Sequence, residues 1–264
     1  MIKKSLMSAA LAASMFALSA PASATLSNWY LDADAGGSGA GVVVKNYVDL
    51  NGQAYVDNTF TSATNFTFKE AGSFISLVAD SNLSKQLSPS LTSTFTGTGS
   101  GTVGATGGTL TFDSGTLSVF SGSTLIATFD LLTGSANLGA NSTLPNGAVS
   151  LIFKATYMLA GYFFTDSTKT TDLATLVASP EGLVMGFATT NALPLALDEV
   201  NDPDALAAIY NAKFGGTGIT VGAEDLFISN NGQIRLSVPE PSTLSLFGLA
   251  LVGFGFTARR KSKV

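Results

Sequence analysis

The sequence predicts an all-β body: an antiparallel β-sandwich, for which a jelly-roll is one fitting topology, with one or two short helices. An apolar signal helix at the N-terminus and a transmembrane helix at the C-terminus complete the expectation. Three observations carry it. Short runs alternate apolar and polar residues with period two, tight-turn signals such as Asn-Gly punctuate them, and one segment has a full helix-start and helix-stop signature.

Taken from the N-terminus, Lys3 and Lys4 precede an apolar run from Leu6 to Leu18, and Ala22-Ser23-Ala24 follows Pro21. A charged region, an apolar region and a small-residue cleavage site, in that order, make a secretory signal over residues 1–24. Cleavage after Ala24 makes Thr25 the first residue of the exported chain, and the Sec machinery its carrier. No Cys follows the apolar run, which argues against lipid attachment.

Asn51-Gly52, between Val42–Leu50 and Gln53–Phe60, predicts a two-residue hairpin turn. Asn231-Gly232 predicts another, between Leu226–Ser229 and Gln233–Val238. Single strands are expected at Asn65–Phe68, Ser73–Ala79 and Leu91–Thr96. Residues 96–108 are nearly all Gly, Ser, Thr and Ala and read as a strand edge and loop. From Thr109 to Asp130, three runs repeat apolar residues at every second position: Leu110/Phe112, Leu117/Val119 and Leu125/Ala127/Phe129. Joined by Asp113-Ser114-Gly115 and Ser121-Gly122-Ser123, they predict a meander with one buried face. Val149–Ala155, Met158–Phe164 and Leu183–Ala188 complete the strands. So many paired strands need a second apolar layer, and with few helices to supply it the second layer is more sheet. The main helix starts at Asp202, a natural N-cap, with Pro203 at its first position and Gly215-Gly216 as its stop. A shorter one is expected at Thr171–Ala178.

The composition excludes whole chemistries. Among 264 residues there is no Cys and no His. That removes disulfides, thiolate nucleophiles, the imidazole of a Ser-His-Asp triad, and ordinary zinc and haem sites. No cofactor is expected. Of 13 basic residues, two lie in the signal and four after residue 238, leaving seven in residues 25–237; of 18 acidic residues only Glu240 lies outside that body, leaving 17. A body of net charge −10 repels phosphate backbones, so nucleic acid is not an expected partner.

The C-terminus reads Val238-Pro239-Glu240-Pro241, an uncharged span from Ser242 to Ala258, then Arg259-Arg260-Lys261-Ser262-Lys263-Val264. The span reaches the lower limit for crossing a bilayer, and the basic cluster after it reads as a stop-transfer signal on the inner side. Pro239 and Pro241 break strand pairing and mark an extended junction suited to a processing enzyme. Pro-Glu-Pro, a short apolar span and an Arg-rich end resemble the PEP-CTERM sorting signal over residues 238–264. The resemblance implies a Gram-negative cell that makes exopolysaccharide, with a membrane-embedded exosortase that removes the tail near Pro239, Glu240 and Pro241. The protein would sit in the inner membrane before processing, and at the cell surface or in the matrix after it. Within these proteins the body is similar to the flocculation-associated PepA type, on 65-NFTFKEAGSF-74, 93-STFTGTG-99 and 108-GTLTFDSGTLSV-119. That likeness implies cell aggregation through retained exopolysaccharide and carries no catalytic residues.

Other candidates are weaker in chemistry. Trp29 and Tyr30 offer an aromatic platform for a glycan, with burial of Trp29 as the competing reading. Asp32-Ala33-Asp34 resembles the start of a calcium loop but lacks a ligand at Gly36 and an acid at Val43. Asp198, Asp202 and Asp204, with Glu199 and Asn201, could supply oxygens to Ca²⁺, although Asp202 and Asp204 already serve a helix start. A secreted carbohydrate-binding module is therefore the alternative function, and a two-carboxylate or calcium-assisted glycan hydrolase ranks below it, because no acid pair has the surroundings that separate two pKa values. No catalytic residue is expected.

Overall fold

The computed structural model describes residues 23–35, 41–83, 87, 89–105, 107–139, 147–180, 182–217, 219, 221–222 and 224–239. Thr25–Ser237 form one compact unit, and Met1–Ala24 with Val238–Val264 form a second. In chain order the strands are β1 (Ser23–Thr25), β2 (Trp29–Leu31), β3 (Val42–Val44), β4 (Val48–Phe60), β5 (Asn65–Ala79), β6 (Leu91–Gly104), β7 (Gly107–Ser121), β8 (Thr124–Gly139), β9 (Gly147–Met158), β10 (Phe163–Phe164), β11 (Val184–Leu195) and β12 (Leu226–Pro239). Helix α1 (Ala174–Val177) follows β10, and α2 (Pro203–Phe214) follows a 3-10 turn at Leu197–Glu199.

The fold is mostly antiparallel sheet, as the periodicity predicts. Eight strands run in the order β12-β11-β9-β8-β7-β6-β5-β4, and β4 pairs again with β12 from Val48↔Ile234 to Val56↔Leu226. The sheet therefore closes on itself. The two apolar layers expected of a sandwich are met by opposite walls of one closed meander, which also leaves these strands no open edge.

Several predicted turns are strand interiors. Neither Asn51-Gly52 nor Asn231-Gly232 has the positive φ that a two-residue hairpin requires. Both lie extended, in β4 and β12, and Asn51 pairs with Asn231 across the seam that closes the barrel. Glycine is needed there for space: a Cβ at Gly52 would collide with the Ser73 carbonyl, and one at Gly232 with the Phe187 ring. Asp113-Ser114-Gly115 is also no turn. It is an irregular stretch inside β7, where pairing with β6 shifts register between Thr98↔Ser114 and Gly99↔Phe112. Of the predicted turns, Ser121-Gly122-Ser123 alone joins two strands as a hairpin, with Gly122 at φ 57°. The strands expected at Asn65–Phe68 and Ser73–Ala79 are one strand, β5. Met158–Phe164 is instead the end of β9, a turn and β10.

Residues 96–108, expected as edge and loop, belong mostly to the middle of the sheet. Inward positions 97, 99 and 101 of β6 are glycines because phenylalanine rings lie on them. A Cβ would approach the Phe95 ring to 2.7 Å at Gly97, the Phe68 ring to 2.5 Å at Gly99 and the Phe66 ring to 2.6 Å at Gly101. Phe68, Phe95, Phe112 and Phe153 then meet edge to face, with centroids 5.0–6.1 Å apart. The interior of an eight-stranded barrel is narrow enough for side chains to fill, and these rings occupy it.

A three-stranded sheet, β10-β2-β3, brings Trp29, Leu31 and Phe163 against Val48, Leu77, Leu91 and Leu236 of the barrel interior. Outside, α2 lays Leu206 and Tyr210 over Tyr55, Ala71 and Phe227. Its start and stop are those the sequence predicts: Asp202 accepts from the Ala205 N–H at 2.9 Å, and Gly215 ends it at φ 81°. The short helix spans Ala174–Val177, inside the predicted 171–178.

Candidate functional site

Trp29 is 2% exposed, and its ring lies 6.2 Å from that of Phe163. An aromatic sugar platform needs an open face, and Trp29 presents none; it belongs to the core. Tyr30 is half-buried and pairs with Val43 and Phe164. Asp32 forms an ion pair with Lys169, whose positive φ is set in a loop folded around Asp166. The Asp166 carboxylate accepts from the Thr168 hydroxyl and from the N–H groups of Thr168, Thr170 and Thr171, which hold its pKa far below the usual range. Asp198 lies in the 3-10 turn, Asp202 caps α2, and Asp204 sits in its first turn. Among the described residues no three acidic side chains group as metal ligands.

Pro239 ends β12, and Ala24 lies in β1. Ala22, Glu240, Pro241, Arg259, Arg260 and Lys261 lie outside the described residues, as do the apolar runs 6–18 and 242–258. Among the described residues no helix is long and apolar enough to cross a membrane.

Two features have no counterpart in the sequence analysis. The first is a pair of tyrosine–carboxylate bonds that fasten α2 and the segment before β12 to β4. Tyr55 donates to Asp225 at 2.7 Å, Tyr210 donates to Asp57, and the two rings meet edge to face at 5.3 Å. Burial, then the carboxylate neighbours, push both phenols up, so they stay donors. The second is Glu70. It lies on the inward face of β5, in the series Phe66, Phe68, Glu70, Gly72, Phe74, and is 8% exposed. Burial alone lifts its carboxyl from 4.5 to about 7. The tyrosine–carboxylate pairs give no signal in the sequence, because the partners lie 170 and 153 residues apart, and Glu70 gives none because a lone acid among strand residues reads as solvent-facing.

The outward face of β5 to β9 is of another kind. Register places Thr67, Ser100, Thr111, Ser135 and Ser150 side by side across five strands. Asn65, Thr102, Thr109 and Asn137 form the next row across β5 to β8. All nine side chains are exposed, and none is charged. Adjacent strands lie about 4.8 Å apart, so the five-membered row spans about 19 Å. Thr102 and Thr109 hydroxyls meet at 3.3 Å, and Thr98 and Ser114 in the neighbouring row at 2.8 Å. Among the described residues the hydroxyls of the five-membered row have no protein partner and face water. The sequence shows these residues only as scattered Ser, Thr and Asn; strand register makes them a grid.

The chain's own end carries the clearest likeness to known proteins. No curated protein and no solved structure matches the chain. Residues 237–261 match the PEP-CTERM protein-sorting motif, beginning within the last three residues of β12. That match supports an exosortase substrate: an exported chain with a C-terminal membrane-sorting signal that is removed in processing.

Proposed function

We propose that the protein is a non-enzymatic component of the cell surface or extracellular matrix that promotes cell aggregation by retaining exopolysaccharide. The sorting motif at residues 237–261 is the observation that carries this reading. The hydroxyl-rich outer face of the barrel supports it, as does a composition without His or Cys. The aggregation role itself is taken from the resemblance, in sequence alone, of residues 65–74, 93–99 and 108–119 to the flocculation-associated type. Retention would rest on many weak contacts multiplied over many copies, with no single strong site.

The test is the intact mass of the protein recovered separately from membranes and from the matrix. A matrix species running from Thr25 to a residue between Val238 and Pro241 is the expected result. A species running from Thr25 to Val264, found only in membranes, sinks the matrix role. Cells lacking the protein should also fail to aggregate while still making exopolysaccharide.

A further inference from the structure

We infer that the two exposed rows on β5 to β9 bind an extended, uncharged polysaccharide. This rests on the proposed matrix role and gives it a site and a ligand class. Among the described residues the five-membered row, Thr67, Ser100, Thr111, Ser135 and Ser150, has hydroxyls without protein partners, each able to donate and to accept. A polyol presents the same dual chemistry, so the contacts exchange water for sugar hydroxyls without desolvating a charge. Leu132 and Ile152, 58% and 41% exposed beside the rows on β8 and β9, offer apolar surface to the C–H faces of sugar rings.

Charge selects among glycans. Residues 25–237 carry a net charge of −10, yet neither row contains an ionised side chain. A polyanion is repelled by the body and finds no cation in the rows to offset the repulsion; a neutral chain meets no such barrier. A second copy of the protein is a poor occupant, because the rows are wholly polar where a stable dimer requires an apolar centre, and the closed barrel has no strand edge there to pair. Each hydroxyl contact contributes only about 0.5–1.5 kcal/mol, so a long chain spanning the rows is the form that binds.

The experiment is co-sedimentation of the processed protein with cross-linked dextran, amorphous cellulose and a polygalacturonate gel. Wild type should be retained on at least one neutral matrix and not on polygalacturonate. The combined variant Ser100→Ala/Thr111→Val/Ser135→Ala should bind about tenfold more weakly at an unchanged melting temperature. Should that variant melt early, Thr67→Val with Ser150→Ala, at the ends of the same row, repeats the test. Equal retention of the variants, or preference for polygalacturonate, overturns the inference. Thermal hysteresis in the wild type without retention on any glycan overturns it too, by assigning the grid to ice. If cells without the protein cease to aggregate and the triple variant restores aggregation fully, this inference falls while the proposed function stands.

Discussion

The barrel has two outer walls built on the same strand pattern. Under α2, outward positions of β4, β5 and β12 are Tyr55, Ala71 and Phe227, all buried by the helix. Farther round, two rows of outward positions across β5 to β9 are Thr, Ser and Asn, all open to water. β5 belongs to both: Ala71 faces the helix, while Thr67, four residues earlier, faces solvent. Inside, the two walls share one core of phenylalanine rings packed over glycines. Stability is thus invested in the interior and the covered wall, and the bare wall is free to be a binding surface.

The comparison breaks most severely at Leu206, which is 1% exposed and central to the contact between α2 and the barrel. Leu206→Ala removes buried methyl groups and leaves a cavity, an expected cost of about 2–5 kcal/mol. Thermal or urea unfolding measures it. Exposure of Tyr55 and Phe227 should also raise binding of a hydrophobic dye. A cost below about 1 kcal/mol contradicts the account of α2 as an integral part of the fold.

Glu70 tests the inner side of the same wall. Its carboxyl titrates at 4.5 when unfolded and about 7 when buried. Below the unfolded value both states are protonated and the group is neutral toward stability. Between these values the unfolded state ionises first, so stability falls as pH rises; above about 7 the full cost, on the order of 3 kcal/mol, persists. Glu70→Gln should therefore stabilise the protein at pH 8 and have little effect near pH 4. A gain that is the same at both pH values removes ionisation as the cause.

Much of this fold could be read from sequence, and the failures share one cause. Alternation at Leu117/Val119 and Ala127/Phe129 points to β7, β8 and their turn, because a half-buried strand writes its two faces directly into the chain; Leu125 breaks the pattern, since a register shift beside Phe120 turns it outward and buries Ile126 instead. Asp202-Pro203 and Gly215 located α2 through local backbone chemistry. Asn51-Gly52, Asn231-Gly232 and the glycines of β6 mislead, because their role is set by rings and backbone packed close against them and not by their own φ. The sorting motif needed no tertiary information at all, since an enzyme recognises it as a linear segment. The hydroxyl rows are the opposite case: Thr67 and Ser150 become members of one row only through four strand pairings.

The smallest expected effect is the one that most sharpens the comparison. Thr111 lies in the middle of the five-membered row, exposed, with its hydroxyl facing water. Valine has nearly the same shape and an equal liking for a strand, so Thr111→Val should change stability by no more than about 0.5 kcal/mol. On the covered wall a single lost side chain is felt by the whole molecule; here the hydroxyl bonds to no other group among the described residues. A melting temperature that drops several degrees on Thr111→Val would show that the bare wall also holds the barrel together. An unchanged melting temperature leaves the hydroxyl without a structural task, and a row of such groups is what a surface committed to an outside partner should contain.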